Sequence, residues 1–321
     1  MLSRRQLRIK AIQALYAFIQ SVNDQLGQGE KEMLKSLDKL YEIYIYQLSF
    51  LIELVDFSRK RMDDNKQKFF PTEEDLKPNT RFVENRFYKQ LVENRDLKKF
   101  ISAYKINWVD EEDMIRKLMV QIRDSKDYID YMAKPNCTYN DDKDIFIKII
   151  KKHLSKSELL QFYYEEKSIY WSDDFHTANL LAIKTIKSYE LTWDENHKLP
   201  LIFGKEIDGG KNEDKEFVIN LFRKTLLRSE EYEQLIDDKV KNWEMDRIAI
   251  MDILIIKMAL VELLEFPSVP IKVTLNEYIE LAKLYSTPKS KVFVNGILDK
   301  LIGDLKDQKK IKKTGRGLLE N

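Results

Sequence analysis

The chain has 321 residues, of which 43% are hydrophobic and 34% charged. This is enough apolar material for a sizeable core and too much charge for a membrane protein. The formal net charge of +1 gives no overall attraction to nucleic acid, so any such binding must come from local patches. The single cysteine, Cys137, excludes an internal disulfide and a multi-cysteine zinc site. The basic start lacks the apolar stretch and cleavage site of a signal peptide, so we expect a mature cytoplasmic protein.

Glycine and proline are rare, which favours long helices with few tight turns. No glycine occurs between Gly29 and Gly204. Apolar residues recur with a helical period and no alternating strand pattern is found, so the sequence predicts an all-α fold. We predict helices over residues 3–21, 31–60, 81–92, 96–104, 111–132, 142–153, 177–189, 214–228, 229–242, 246–265, 275–285 and 288–305. The segment 192–212 holds Pro200 and three glycines and predicts a domain boundary near residue 205.

Catalytic and metal sites find no support in the sequence. The three histidines, His153, His176 and His197, have no metal-ligand spacing. The stretch GKEIDGGK (204–211) is one residue too long for a phosphate loop, and Asn212 stands where serine or threonine would bind magnesium. We therefore predict no catalytic residue, no metal and no cofactor.

The predicted helix 246–265 is apolar on nearly every side but carries Asp252, Lys257 and Glu262. Such a helix is normally central and buried. The residues three and four positions from each charge are almost all apolar, so intrahelical ion pairs cannot satisfy them. An unpaired buried charge costs several kcal/mol, so each must reach solvent, a tertiary partner or a docked protein.

The start of the last predicted helix is a candidate anion site. Lys289, Ser290 and Lys291 lie where free backbone N–H groups and the helix dipole favour negative charge. A solvated helix start that binds nothing remains the alternative. Pro288 is expected at the first helical position.

Three further residues have predicted structural roles in this region. Thr274 and Glu277 form the pattern of a capping box. Gly296 is expected where a neighbouring helix packs closely, and Asn295 is expected to make a buried hydrogen bond.

The first predicted helix is rich in arginine. Arg4, Arg5, Arg8 and Lys10 precede Tyr16, and Arg5 and Tyr16 share a face. This combination suits phosphate contacts and base stacking in single-stranded RNA. A solvated helix end is the alternative interpretation.

Both ends of the chain resemble the NusB family of bacterial transcription antitermination factors. The matching stretches are 4–16 (RRQLRIKAIQALY) and 246–300, in which VTLNEYIELAK (273–283) and FVNGILDK (293–300) are the most specific. The resemblance implies an all-helical fold of two packed subdomains and a non-enzymatic role.

The resemblance also implies binding partners and contact residues. Members of this family bind the boxA element of nascent rRNA transcripts, together with the small-subunit ribosomal protein NusE, and so help RNA polymerase to read through terminators. Asp252 corresponds to a commonly acidic position and is the candidate contact to the partner protein. The implied RNA contacts are Arg4, Arg5, Arg8, Tyr16, Lys289, Ser290 and Lys291. Lys10 departs from the family pattern and is a candidate RNA contact from its charge on the same helix.

The chain is more than twice as long as is typical of the family. We therefore predict four segments: N-terminal helices (1–63), an additional helical block of unknown role (64–204), a C-terminal NusB-like subdomain (205–305) and a basic, disordered tail (306–321). Two alternatives remain: a protein-interaction scaffold without RNA binding, and a relic of the helical N-terminal domain found in some rRNA cytosine methyltransferases.

Overall fold

The computed structural model describes residues 2–21, 25–203, 212–240 and 248–319. Within them no strand occurs, and the predicted all-α fold is confirmed. The α-helices are α1 (Arg4–Gln20), α2 (Leu26–Lys66), α3 (Glu73–Leu76), α4 (Arg86–Glu93), α5 (Arg95–Ala103), α6 (Glu112–Arg123), α7 (Lys126–Ala133), α8 (Tyr139–Lys152), α9 (Glu158–Lys167), α10 (Phe175–Ser188), α11 (Glu213–Leu227), α12 (Ser229–Asp237), α13 (Ile250–Glu265), α14 (Ile271–Tyr285) and α15 (Ser290–Asp307). Short 3-10 helices span Val109–Glu111, Leu154–Lys156, Ile169–Trp171 and Gly315–Leu318.

The chain divides into two compact units. Unit 1 comprises residues 1–36 and 203–321, and unit 2 comprises residues 37–202. The boundary between residues 202 and 203 lies close to the predicted boundary near residue 205. The boundary between residues 36 and 37 lies well before residue 63, where we predicted the end of the N-terminal helices. The difference arises in α2, because its later turns bury side chains such as Tyr44 and Phe50 in the core of unit 2.

Helix α13 is the centre of unit 1. It packs against α1, α11, α12, α14 and α15, and every residue from Leu254 to Leu263 is buried. Burial on all sides is what its nearly continuous apolar sequence predicts. Residues 246 and 247, at the predicted start of this helix, lie outside the described residues.

The last two helices begin at positions other than those predicted. Helix α14 starts at Ile271, so Thr274 lies inside its first turn and does not cap it. The Thr274 hydroxyl instead donates to the Glu262 carboxylate at 2.9 Å. Helix α15 starts at Ser290, and Pro288 belongs to the turn before it. Tertiary hydrogen bonds have displaced the local capping patterns that the sequence suggested.

The basic tail, which we predicted to be disordered, packs against the end of α13 and the turn after it as far as Gly317. The Lys313 ammonium donates to the carbonyl oxygens of Glu262 (3.4 Å) and Phe266 (3.1 Å). The Thr314 amide donates to the carbonyl oxygen of Pro267 at 3.0 Å. These contacts hold the tail against the C-terminal end of α13 and the turn that follows it.

Unit 2 is built around aromatic side chains. The rings of Tyr46, Trp108, Tyr164 and Trp171 contact one another, with centroids 5.1 to 6.5 Å apart. Each indole N–H is satisfied: that of Trp108 donates to Ser49 and that of Trp171 to the carbonyl oxygen of residue 39. Aromatic rings bury large apolar areas, which lets short helices share one core.

Candidate nucleic-acid and protein interface

Helix α1 begins with a capping box. The Ser3 hydroxyl accepts from the Gln6 amide, while the Gln6 side chain accepts from the Ser3 amide at 2.8 Å. This cap fixes the arginines of the first turn against the neighbouring helices of unit 1. Arg4 lies 3.5 Å from Asp214 and 3.6 Å from Glu213, both at the start of α11.

Arg5 forms a bidentate pair with Glu277 on α14. Its Nε and Nη2 donate to the two carboxylate oxygens at 2.9 and 2.8 Å. This hydrogen bonding lowers the pKa of Glu277, against the opposing effect of its partial burial. The Arg5 side chain stays 47% exposed, so it faces solvent while held in place.

Arg8 lies inside the protein. Its guanidinium donates two 2.7 Å hydrogen bonds to Glu262 of α13, and the exposed fractions of the two side chains are 3% and 0%. Thr274 and Tyr278 also donate to this carboxylate. Burial acts to lower the pKa of Arg8, but the hydrogen bonds and negative charge of Glu262 outweigh it and raise that pKa. Glu262 therefore has the tertiary partner that its sequence context required.

The other two charges of α13 also find tertiary partners. Lys257 donates to Glu233 at 2.6 Å and to Ser229 at 2.8 Å. Asp252, 5% exposed, accepts from the Ser290 hydroxyl at 2.8 Å. Its second oxygen, Oδ1, is buried without a hydrogen-bond partner among the described residues. An acceptor left in this condition is costly.

Two members of the predicted RNA-contact set on α1 lie in different surroundings. Lys10 is 4% exposed, whereas Tyr16 is 40% exposed. Gln13 donates to the Tyr285 hydroxyl at 3.2 Å. Gln13 lies eight residues after Arg5, and Tyr285 lies eight residues after Glu277, the partner of Arg5. Helix α1 therefore runs parallel to α14. Tyr16, one turn after Gln13, lies toward the loop that follows α14.

An apolar groove of about 610 Å³ opens where the start of α13 meets the loop and first turns of α15. Its lining includes the buried Asp252 and the exposed Lys289. The remaining lining residues are Ile248, Ala249, Thr287, Pro288, Ser290, Val292, Phe293, Gly296, Ile297 and Lys300. Val292, in this lining, is 69% exposed.

Two residues of α15 were predicted wrongly. A Cβ added to Gly296 would meet no atom within 4 Å, so no neighbouring helix packs against it. Asn295 makes an exposed hydrogen bond to Asp299 of its own helix at 3.0 Å. Gly296 instead deepens the groove. Sequence reasoning also missed Lys300 and the groove's apolar wall, because Val292 and Phe293 have the spacing of ordinary core residues.

The structure thus separates the predicted contact residues into two groups. Lys289 and Lys291 are exposed, and Arg4, Arg5 and Tyr16 are partly so. Arg8, Lys10, Ser290 and Asp252 are 2 to 5% exposed, because the packing of α1 and α15 onto the core covers them. The stretch GKEIDGGK (204–211) lies outside the described residues.

Among the described residues, no cluster of three or more histidine, cysteine or acidic side chains could hold a metal ion. No helix within these residues is long and apolar enough to cross a membrane. The fold and the site together define an all-helical protein in which exposed lysines border an apolar groove.

Comparison with known proteins assigns the family. The sequence profile described as the NusB family matches residues 176–303, from α10 to α15. Three similar proteins are each named "Transcription antitermination protein NusB". The one from Salinibacter ruber is 49% identical over 105 residues, covering 33% of this chain and 66% of the relative. The one from Chloroherpeton thalassium is 34% identical over 140 residues, which cover 44% of this chain and 66% of the relative. The one from Koribacter versatilis is 37% identical over 102 residues, which cover 32% of this chain and 70% of the relative.

The chain belongs to the NusB family. It spans 66% of the length of the first two relatives. No solved structure matches it. The match begins at residue 176, inside the block 64–204 that we predicted to be additional. The relatives' printed name is that of transcription antitermination proteins.

Proposed function

We propose that the chain is a non-enzymatic transcription antitermination factor that binds boxA-type single-stranded RNA of nascent rRNA transcripts together with the ribosomal protein NusE. The complex promotes read-through by RNA polymerase. One observation supports this most directly: the family match, residues 176–303, includes every residue that lines the groove. The surface with the unusual geometry therefore belongs to the part of the chain shared with antitermination proteins.

The RNA contacts fall on the exposed basic residues near the loop after α14. Lys289 and Lys291 present unburied ammonium groups for phosphate contacts. Tyr16 lies toward the same loop and offers a 40% exposed ring on which a base can stack. Arg5 adds a charge whose direction Glu277 fixes. These four residues carry the proposed RNA surface.

Arg8, Lys10 and Ser290 have a different role in this proposal. Their burial removes them from direct contact with RNA. Arg8 anchors the arginine-rich helix to α13, and Ser290 ties the start of α15 to Asp252. They position the RNA surface and do not form it.

The groove is the proposed docking place for NusE. Its apolar wall suits a protein side chain better than a phosphate backbone, which is charged along its length. Asp252 lines this groove but is 5% exposed, so in this proposal it holds Ser290 and the start of α15 in place and does not itself touch the partner. Since the groove adjoins Lys289, RNA and protein bound side by side would favour each other's binding.

The proposal is tested by transcription in vitro from a template that carries boxA upstream of a terminator. The full chain and NusE, added to elongating RNA polymerase with its other elongation factors, should increase read-through. A template with scrambled boxA is the matched control. Equal read-through from both templates would favour the protein-interaction scaffold instead.

A further inference from the structure

A second surface feature lies in unit 2 and takes no part in the proposed function. A cavity of about 450 Å³ opens between the later part of α2, the segment around α3, and α6. Its polar lining includes Arg61 from α2 and Arg123 from the last turn of α6. The other lining residues are Phe57, Ser58, Met62, Asn65, Glu74, Asp75, Lys77, Pro78, Asn79, Met119 and Tyr128.

Arg61 and Arg123 are exceptional among the arginines of unit 2. Neither makes a hydrogen bond or an ion pair with any described residue, although both are half-buried. Every other arginine of this unit has a partner, and these are Arg59, Arg81, Arg86, Arg95 and Arg116. A guanidinium that has lost part of its hydration without gaining an acceptor is unfavourable.

The positive charge of each of the two arginines also disfavours the charged form of the other. Burial lowers the pKa of Arg61, and the positive charge of Arg123 lowers it further. The nearest acidic residues do not compensate. Asp75 is engaged by Lys68 at 3.2 Å and by the Thr72 amide at 3.1 Å, and Glu74 is exposed at the rim. The cavity lining thus carries three cations, Arg61, Lys77 and Arg123, against two carboxylates, and its two guanidinium groups have no hydrogen-bonded acceptor among the described residues.

We propose that this cavity is a phosphate-binding site, in which Arg61 and Arg123 hold one phosphoryl group between them. A guanidinium binds phosphate through two parallel N–H donors, and two such forks match a dianion in charge and geometry. The Asn65 side chain, which has no hydrogen-bond partner among the described residues, can donate to a third oxygen. The volume exceeds that of one phosphate, which leaves room for an attached organic group.

The phosphoryl group has two possible sources, a free phosphate or phosphomonoester and the backbone of single-stranded RNA. Both sources present phosphate oxygens to the two guanidinium groups, but a free phosphate or phosphomonoester reaches two negative charges, whereas each RNA phosphodiester carries one. Neither source depends on RNA binding by unit 1. Inorganic phosphate and a hexauridylate are therefore the two probes, each titrated into the full chain at constant ionic strength. Phosphorus NMR line widths report the first and fluorescence anisotropy the second.

The variants separate this cavity from general surface charge. Arg61→Gln with Arg123→Gln should weaken binding of the effective probe by about tenfold or more. The matched control, Arg95→Gln with Arg116→Gln, removes the same charge from two arginines that already have carboxylate partners. It should change the affinity for that probe less than twofold. Arg61→Lys with Arg123→Lys keeps the charge but loses the forks, and should give an intermediate affinity. Circular dichroism verifies the fold of each variant.

The outcomes are distinct. Saturable phosphate binding without hexauridylate binding supports the site with a free phosphate or phosphomonoester as its source. Hexauridylate binding that inorganic phosphate displaces supports the site with RNA as its source. Absence of saturable binding by either probe, or an equal loss in the Arg95 and Arg116 variant, overturns the proposal. Because Lys289 and Lys291 are unchanged in these variants, a failure here leaves boxA binding unaffected.

Discussion

Arg8 and Glu262 lie 254 residues apart in the chain and form a buried bidentate ion pair at 2.7 Å. The pair joins the first helix to the central helix of unit 1. Thr274 and Tyr278 donate to the same carboxylate, so its negative charge is well supported by hydrogen bonds. A fully satisfied network of this kind defines a single arrangement of α1, α13 and α14.

Breaking one side of this pair should be strongly destabilising. We expect Arg8→Met to lower the free energy of unfolding by about 3–5 kcal/mol, because Glu262 remains buried without its cation. Chemical denaturation monitored by circular dichroism measures this. The double variant Arg8→Met with Glu262→Gln should recover part of the loss, since the neutral amide still accepts from Thr274 and Tyr278. A double variant less stable than Arg8→Met alone would contradict this account.

The pair between Arg5 and Glu277 should make stability depend on pH. Its hydrogen bonds depress the pKa of Glu277 in the folded state below the ordinary value of 4.5. The stabilisation is therefore fully present above pH 4.5 and is lost as pH falls through the lower, folded pKa. Denaturation of the wild type and of Glu277→Gln at several pH values measures the difference. The difference in free energy of unfolding between the wild type and Glu277→Gln should become smaller as the pH falls. A difference that does not change with pH would contradict a stabilising ion pair between Arg5 and Glu277.

Removing two exposed lysines should weaken RNA binding without affecting the fold. Lys289→Ala with Lys291→Ala removes two proposed phosphate contacts, so the slope of log affinity against log salt should fall by about 1.4 for single-stranded RNA. Anisotropy titrations with boxA RNA at several salt concentrations measure it. Lys272→Ala with Lys283→Ala, two exposed lysines of α14, is the matched control and should keep the slope.

Filling the groove should impair partner binding alone. A Cβ at Gly296 or at Gly303, both in α15, meets no atom within 4 Å, so Trp at either position should fold. Gly296→Trp should weaken binding of NusE, because the indole occupies the groove, whereas Gly303→Trp should not. Gly296→Ala should add about 1 kcal/mol of stability, the usual gain over a mid-helix glycine. Equal NusE affinity for the two tryptophan variants would place the partner elsewhere.

The packed tail should respond to alkaline pH. Burial lowers the pKa of Lys313 to about 8, although Glu262 acts to raise it. Between pH 8 and the ordinary value of 10.5, the unfolded chain holds a proton that the folded chain does not, so stability should rise with pH. Lys313→Met should lack this rise. Thermal unfolding of the wild type and Lys313→Met between pH 8 and 10.5 measures this difference in pH dependence. Stability that changes with pH equally in both proteins would contradict the prediction.

The sequence was sufficient for the features that depend on local pattern. The period of apolar residues predicted helices, and the composition of α13 predicted its burial. The absence of intrahelical partners for Glu262 left solvent, a tertiary partner or a docked protein, and the structure supplies a tertiary partner, Arg8. These inferences depend on residues within a few positions of each other, where spacing and contact are closely linked.

Features that depend on distant parts of the chain could not be predicted in this way. Thr274 has the spacing of a helix cap but donates to Glu262, because α13 offers it a stronger acceptor. Gly296 resembles a close-packing position, yet only the path of α13 and the loop reveals the groove. Arg8 belongs to an arginine-rich stretch typical of RNA contact, and its burial depends on the position of a helix over two hundred residues away.

The central claim is that the exposed lysines and the adjoining groove bind RNA and NusE together. The most direct measurement is the affinity of the full chain for a short boxA RNA, by fluorescence anisotropy, with and without NusE. We predict that NusE raises the affinity of the wild type by about tenfold, a coupling of about 1.4 kcal/mol, and that Gly296→Trp abolishes this gain. Binding of neither RNA nor NusE, or RNA binding that NusE leaves unchanged, would contradict it.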